Sequence, residues 1–76
     1  MPKFAMYQTV RVVRVPPASA IWLGRLPSVG DTGAVIEIYS EPEELYLAEA
    51  VLPGGFCDWL TFFSPEDLEL DDKPVA

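Results

Sequence analysis

The chain has 76 residues, half of them hydrophobic, and twelve acidic side chains against five basic ones give a formal net charge of −7. This length has room for one small core, and the apolar content argues against intrinsic disorder in spite of eight prolines. The acidic balance argues against a nucleic-acid partner, because neutralising phosphates requires clustered lysine and arginine. A partner selected by charge should therefore be basic.

The sequence also indicates the cellular compartment of the protein. A single cysteine, Cys57, cannot form an internal disulfide, and small secreted domains usually need several. No apolar run approaches the roughly 20 residues of a membrane span, and residues 1–6 lack the apolar stretch of a signal peptide. The sequence predicts a cytoplasmic protein with no membrane partner.

The first strand is predicted over Gln8 to Val15, after a lead-in over residues 1–7. Its valines alternate on either side of Val12-Val13 but change phase between them, which indicates a bulge or a sharp bend. Pro16-Pro17 should end the strand, because proline donates no ladder hydrogen bond.

The connection over residues 16–28 is unusually apolar for a loop. Two interpretations are open. Either Trp22 plugs one end of a barrel, with a helical turn around residues 19–23, or Ile21, Trp22 and Leu23 contact a protein partner. The plug is favoured, because a tryptophan in a small domain belongs more often to the core than to a binding surface.

A glycine-bracketed turn, Gly30-Asp31-Thr32-Gly33, leads into the second predicted strand over Gly33 to Tyr39. The two glycines allow positive φ at either end of the turn, and Asp31 is expected to be a turn residue that bonds its own backbone. Alternation along the strand places Ala34, Ile36 and Ile38 on the inner face.

The third strand is predicted over residues 45–52. Pro42 before it and Pro53-Gly54-Gly55 after it leave too little room for a helix. Alternation puts Leu47 and Val51 on an outward face, where they form an interface patch or lie under the long connection.

The Pro53-Gly54-Gly55 segment predicts a hairpin into a fourth strand over Phe56 to Phe63. The following Ser64-Pro65-Glu66-Asp67 is typical of a single 3₁₀ turn with Ser64 as its N-cap. A short closing strand is predicted over Leu68 to Leu70.

These elements predict an all-β fold, a small five-stranded SH3-like barrel with a long first loop and a 3₁₀ turn before the last strand. The barrel should occupy residues 1–70 as one domain. Residues 71–76 are expected to be a flexible acidic tail.

A pattern of turn and strand residues runs through the chain at Val29 to Tyr39, at Tyr46, Glu49 and Val51, at Gly55, and at Thr61 with Pro65 to Leu68. It resembles a family of small bacterial proteins known only as a domain of unknown function. That family has a Gly-Asp-x-Gly-x-Val-Val-Glu segment, a Tyr-x-Val-Glu-Phe strand, a glycine turn and a closing Pro-Glu-Asp-Leu. The chain departs from it at Ala48 and Ala50, where the family usually has Val and Phe, so Trp22 or Trp59 should fill that part of the core.

The segment Gly30 to Val35 is also similar to the KOW motif of ribosome- and RNA-binding proteins. The chain lacks basic residues beside this turn, and RNA binding is disfavoured for that reason.

No catalytic constellation is recognisable. The chain has no histidine, so Cys57 has no imidazole partner and the usual zinc sites are missing. Its adjacent acids lie in predicted turns and tail, where carboxylates are usually solvated. We expect no enzyme activity, no cofactor and no bound metal.

The leading hypothesis is a non-catalytic protein-interaction module that acts through an apolar surface, by self-association or by binding another protein. Its candidate residues are Ile21, Trp22, Leu23, Leu47 and Val51. The alternative is an antitoxin or immunity-type inhibitor of a basic partner such as a nuclease toxin. KOW-like nucleic-acid binding is third and is disfavoured by charge.

Overall fold

The computed structural model describes residues 1–71. These residues form six strands: β1 (Thr9–Val12), β2 (Ile21–Gly24), β3 (Thr32–Tyr39), β4 (Leu45–Val51), β5 (Cys57–Phe63) and β6 (Leu68–Leu70). A first 3₁₀ turn (Ala18–Ala20) precedes β2, and a second (Pro65–Asp67) precedes β6. The fold is all-β, as predicted, but it has one strand more than the five expected.

All six strands belong to one antiparallel sheet with the order β2-β5-β4-β3-β1-β6. Within residues 1–71 the sheet is not closed, because β2 and β6 lie at its two ends and do not pair with each other. The unexpected strand is β2, which forms inside the apolar connection and pairs with β5.

One face of the sheet carries the hydrophobic core, which contains Phe4, Val10, Val12, Val35, Tyr46, Ala48, Trp59, Phe63 and Leu68. Trp59 is the largest fully buried side chain, and its ring packs edge-on against Phe63 with 5.6 Å between centroids. Ala50 lies opposite Trp59 in the β4–β5 ladder. The indole therefore occupies space beside the small residues of β4, one of the two fillings expected from the sequence.

The first strand is shorter than predicted, and the expected bend at Val12-Val13 is confirmed. β1 ends at Val12, and the N–H groups of Val13 and Arg14 then donate to the Asp67 carbonyl at 2.8 and 3.2 Å. Two successive N–H groups thus share one carbonyl of the second 3₁₀ turn, which a regular strand does not allow, so the chain bends at this point.

The inner face of the second predicted strand is partly wrong. A register shift between Val35 and Glu37 inserts one residue into β3, so Val35 is fully buried while Ile36 is only half-buried. After this bulge, Ile38 pairs with Tyr46 and packs against the core as expected. The bulge reverses the alternation that the sequence predicted for the start of the strand.

The turn before β3 uses positive φ at only one of its two glycines. Gly30 has φ +95°, whereas Gly33 has no positive φ and lies within β3. The Asp31 carboxylate accepts the Ser28 N–H at 2.9 Å, as expected for a turn residue.

The hairpin and closing turn agree with the sequence. The Leu52 N–H donates to the Phe56 carbonyl at 2.7 Å across the turn. In the second 3₁₀ turn the Asp67 carboxylate accepts the Ser64 N–H at 3.1 Å. Strands β4, β5 and β6 therefore begin and end within one residue of their predicted limits.

The lead-in also contributes to the core, since Phe4 is buried and the Tyr7 N–H donates to the Val35 carbonyl at 2.7 Å. At the other end, the Asp71 N–H donates to the Thr9 carbonyl at 3.0 Å. The rest of the predicted acidic tail, residues 72–76, lies outside the described residues.

Candidate functional site

Strand β4 has side chains on two faces of the sheet. Tyr46 and Ala48 point into the core, and their neighbours Leu47 and Glu49 point the opposite way. We call this second side the outer face. It carries residues of four adjacent strands: Trp22 and Leu23 of β2, Leu60 and Phe62 of β5, Leu45, Leu47, Glu49 and Val51 of β4, and Glu37 and Tyr39 of β3.

A bulge in β2 turns two large apolar side chains to the outer face. Ile21 pairs with Thr61 and Leu23 pairs with Leu60, so the extra residue, Trp22, lies between two pairs that belong to opposite faces. Without this irregularity, Leu23 would share the inner face with Ile21. The edge strand therefore presents an indole and an isobutyl group side by side.

The first cross-strand row of the outer face contains Trp22, Phe62, Leu47 and Glu37. The Trp22 and Phe62 rings stack with 5.9 Å between centroids and 7° between planes. Phe62 lies opposite Leu47, and Leu47 lies opposite Glu37. The row thus passes from aromatic to aliphatic to carboxylate across four strands.

A second row runs beside the first and contains Leu23, Leu60 and Glu49, which are cross-strand neighbours on β2, β5 and β4. Its side chains follow the same order as in the first row, with an apolar leucine at the sheet edge and a glutamate nearer the centre of the sheet. Tyr39 adds a third aromatic ring beside the first row, 5.9 Å from the Phe62 centroid and tilted by 53°.

The five residues predicted for a partner surface do not all lie on it. Trp22, Leu23 and Val51 are exposed on the outer face, with 63, 55 and 54 % of their surface accessible. Leu47 points to this face but is only 4 % exposed, and Ile21 is half-buried on the inner side.

The interpretation of Trp22 as a barrel plug is wrong. Its side chain lies on the outer face against Phe62 rather than in the core, because the β2 bulge turns it there. The core position belongs to the other tryptophan, Trp59.

No family model, curated protein or solved structure matches this chain. The description of the outer face therefore rests on the positions of its residues alone. Phe62 and Tyr39 belong to it but were not among the residues predicted from sequence. The sequence held no local signal for Phe62, because it lies opposite Leu47 only after the register shift between Ala50 and Val51 in the β4–β5 ladder.

The described cations have partners within the molecule. Each of three arginines bridges two carboxylates: Arg11 with Glu69 and Asp71, Arg14 with Glu66 and Asp67, and Arg25 with Asp31 and Asp58. The Lys3 ammonium donates to the Pro65 and Leu68 carbonyls at 2.9 and 3.0 Å. Along residues 1–71 the basic side chains are thus used to join segments of the fold.

The carboxylates that remain lie together in the chain. Within residues 1–71, no ion pair is made by Glu37, Glu41, Glu43 or Glu49, and all four belong to the β3–β4 hairpin. Glu37 and Glu49 lie on the outer face, and Glu41 and Glu43 are exposed in the turn that joins the two strands. The hairpin is therefore a concentrated source of negative potential.

A fifth carboxylate of this region has a structural role. Glu44 accepts hydrogen bonds from the Tyr46 hydroxyl and the Lys3 N–H, and these hold its pKa below the usual value. Burial and the Glu44 carboxylate raise the pKa of Tyr46. The pair joins the lead-in to β4.

A small cleft of about 160 Å³ adjoins this pair and is lined by Met1, Pro2, Ile38, Tyr39, Ser40 and Glu44. Small-molecule sites commonly enclose about 300–1,000 Å³, so this cleft is a poor candidate for one.

Two features are absent from the part of the chain that the structure describes, a cluster of metal-ligating side chains and a membrane-spanning helix. Residues 1–71 contain no group of three or more Cys, Asp or Glu side chains placed to hold a metal ion. No helix in that range is long and apolar enough to cross a bilayer.

Proposed function

We propose that this chain is a non-catalytic protein-interaction module of the SH3-like barrel class and that its docking surface is the outer face. The observation that carries the proposal is the Trp22–Phe62 stack, in which an indole is held parallel to a neighbouring ring while 63 % of its surface remains accessible. Such a ring loses little conformational freedom on binding, and tryptophans of this kind dominate the energetics of protein interfaces.

The SH3-like assignment rests on the elements other than β2. Strands β1, β3, β4, β5 and β6 form the five-stranded series, β1 pairs with both β3 and β6, and a 3₁₀ turn precedes the last strand. In this interpretation β2 is an addition that the long first connection makes to the barrel. The resemblance to the bacterial family of unknown function supports the same class, and the single free Cys57 supports a reducing, cytoplasmic location.

The proposal can be tested with a photo-crosslinking amino acid. We would place a benzophenone side chain at Leu23, on the outer face, and in a matched variant at Val29, which is 64 % exposed but lies in the turn before β3. Irradiation in cells that express the chain naturally should give discrete protein adducts from position 23 and none of the same mass from position 29. Adducts of equal pattern from both positions, or none from position 23, would contradict the proposal.

A second candidate, an antitoxin or immunity-type inhibitor, is favoured by the unpaired glutamates of the β3–β4 hairpin. Such an inhibitor would cover the cationic site of a toxin. The two candidates differ in the partner's identity, because an inhibitor should crosslink to one basic protein and suppress its activity. Nucleic-acid binding has the weakest support, since the same glutamates repel phosphates.

A further inference from the structure

We infer that the outer face binds a basic amphipathic protein segment laid across the strands, with its apolar side chains over β2 and β5 and its lysine or arginine side chains over β4 and β3. This inference rests on the proposed function and adds the chemistry of the partner. It follows from the direction of the two cross-strand rows and from the charges that the fold leaves unpaired.

The apolar half of the site lies at the β2 edge. Trp22 and Leu23 are more than half exposed, and Phe62 and Leu60 lie beside them on β5. No charged side chain belongs to β2, whose sequence is Ile-Trp-Leu-Gly. The one carboxylate of β5, Asp58, is already paired with Arg25. A ligand therefore gains there by covering apolar surface, and the part of it above β2 and β5 should be hydrophobic.

The acidic half lies on β4 and β3. Glu37 of β3 ends the first row, and Glu49 of β4 lies in the second row between Leu60 and Ala34. Neither glutamate is paired with a cation within residues 1–71. Strands are about 4.8 Å apart, so Glu37 lies about 10 Å along the row from Phe62. A ligand that covers Phe62 therefore needs a positive charge about 10 Å away, which is roughly seven residues along a helix or three along an extended chain.

Charge complementarity favours a basic partner over a second copy of this chain. The described arginines each bridge two carboxylates, and Lys3 is bound to backbone carbonyls, so a second copy offers these glutamates no unpaired lysine or arginine side chain from residues 1–71. Bringing two outer faces together would instead place four glutamates in one interface, and like charges at an interface oppose association.

The test is a selection from a displayed library of random peptides of about 16 residues, since a helix of that length spans ~24 Å and crosses all four strands. The library is selected on the wild-type chain and, in parallel, on the Trp22→Ser/Leu23→Ser variant. Peptides enriched only on the wild type should combine several large apolar residues with a net positive charge. Their binding should weaken severalfold between about 50 mM and 500 mM NaCl.

The role of the glutamates is tested by matched charge reversals. Glu37→Lys on the outer face should weaken binding of the selected peptides about tenfold at low salt. Glu66→Lys changes the net charge equally, but this exposed residue lies in the second 3₁₀ turn and should leave affinity within about twofold. Circular dichroism and thermal unfolding of both variants check that the fold is retained.

The outcomes separate this inference from the proposed function. Peptides that need Trp22 and Leu23 but are neutral or acidic, or that bind Glu37→Lys as well as the wild type, would overturn the inference and leave the docking surface standing. A library that yields no peptide dependent on Trp22 and Leu23 would count against both. A wild-type chain that dimerises through Trp22, and so competes with the peptides, would show that a second copy is the occupant.

Discussion

Gly33 lies so close to the neighbouring strand that no side chain fits there. A Cβ built at this position would lie 2.5 Å from the Glu49 carbonyl oxygen and 2.7 Å from Cη2 of Trp59. Gly33→Ala must therefore push β3 away from β4 or displace the largest core ring. We expect it to lower the free energy of unfolding by about 1–3 kcal/mol, measured by urea denaturation.

Gly30→Ala provides the control, because at Gly30 a side chain would have space but the backbone conformation would be strained. Its φ is +95°, and nothing lies within 4 Å of an added Cβ, so only backbone strain opposes a side chain there. That substitution should cost about 1 kcal/mol. If Gly33→Ala were no more harmful than Gly30→Ala, the close approach of β3 to β4 at this point would be wrong.

Asp31 should make stability depend on pH in the acidic range. Burial opposes its ionisation, but the Ser28 N–H and the Arg25 guanidinium, each at 2.9 Å, outweigh this and hold the pKa of Asp31 below 3.8, its ordinary value. Because the unfolded chain binds this proton more readily, the stabilisation is complete well above pH 3.8 and is lost as the pH falls through the lower pKa of the folded state.

We therefore expect Asp31→Asn to reduce stability at neutral pH and to flatten the loss of stability on acidification. The measurement is urea unfolding of both chains at about pH 6 and about pH 3.5. An identical pH dependence in the two chains would show that the carboxylate of Asp31 is not preferentially ionised by folding.

At the scale of elements, Asp67 joins the second 3₁₀ turn to the end of β1. Its carboxylate accepts the Ser64 N–H at 3.1 Å and the Arg14 Nε at 2.6 Å, and it is almost fully buried. Asp67→Ala leaves the Ser64 N–H without this acceptor. The expected loss is about 2 kcal/mol by urea unfolding. The neighbouring exposed residue gives the comparison: Glu66→Ala should change stability by less than about 0.5 kcal/mol, and equal effects would refute the assigned role of Asp67.

The outer face should contribute little to folding, although it is strongly apolar. Trp22→Ser/Leu23→Ser removes the stack on Phe62 but opens no internal cavity, because both side chains are more than half exposed. We expect a loss of about 1 kcal/mol, against about 2 kcal/mol or more for Val10→Ala in the core. Thermal and urea unfolding measure both, and a loss in the double variant as large as that in Val10→Ala would make the face part of the core.

The sequence predicts those elements whose ends are marked by turn residues. β4, β5, the second 3₁₀ turn and β6 are bounded by prolines, glycines and Ser64, and they lie within a residue of their predicted limits. The prediction fails where contacts between distant segments add a bulge to a strand or pair a connecting segment with the sheet. The bulge at Ile36 reverses the alternation of β3, and β2 exists only because β5 offers it a ladder.

The same limits apply to the candidate site. The sequence marks Trp22 and Leu23 as unusual because they lie in an apolar connection. It does not show which face of the sheet their side chains point to, because that depends on the bulge in β2. Phe62 could not be separated from Phe63 by composition, because an aromatic strand looks the same from both faces. Alternation along β4 correctly predicted that the Leu47 side chain points to the outer face. It could not predict that Leu47 is buried there, because the burial depends on side chains of other strands.

At the scale of the whole molecule, folding pairs the described arginines with some of the carboxylates and leaves other carboxylates without a cation. The described arginines hold together segments that are far apart in sequence, such as Arg14 with Asp67 and Arg25 with Asp58, where two hydrogen bonds of 2.8 and 2.7 Å join the guanidinium to the carboxylate. Among residues 1–71, the acids in excess of these pairs remain on the β3–β4 hairpin. Those on the outer face lie beside its apolar surface, as residues that oppose self-association do in other sheets.

This arrangement predicts that the chain is a monomer of 8.4 kDa at low salt despite its exposed apolar face. Two copies that met through that face would bring Glu37 and Glu49 of both into a surface of low dielectric, where their repulsion exceeds its value in water. Replacing the two carboxylates by amides, in Glu37→Gln/Glu49→Gln, should therefore raise the dimer fraction in static light scattering at about 50 mM NaCl. The exposed turn residues supply a control of equal charge, since Glu41→Gln/Glu43→Gln lies off the face and should remain monomeric. A dimeric wild type, or equal association of the two double variants, would mean that Glu37 and Glu49 do not prevent self-association.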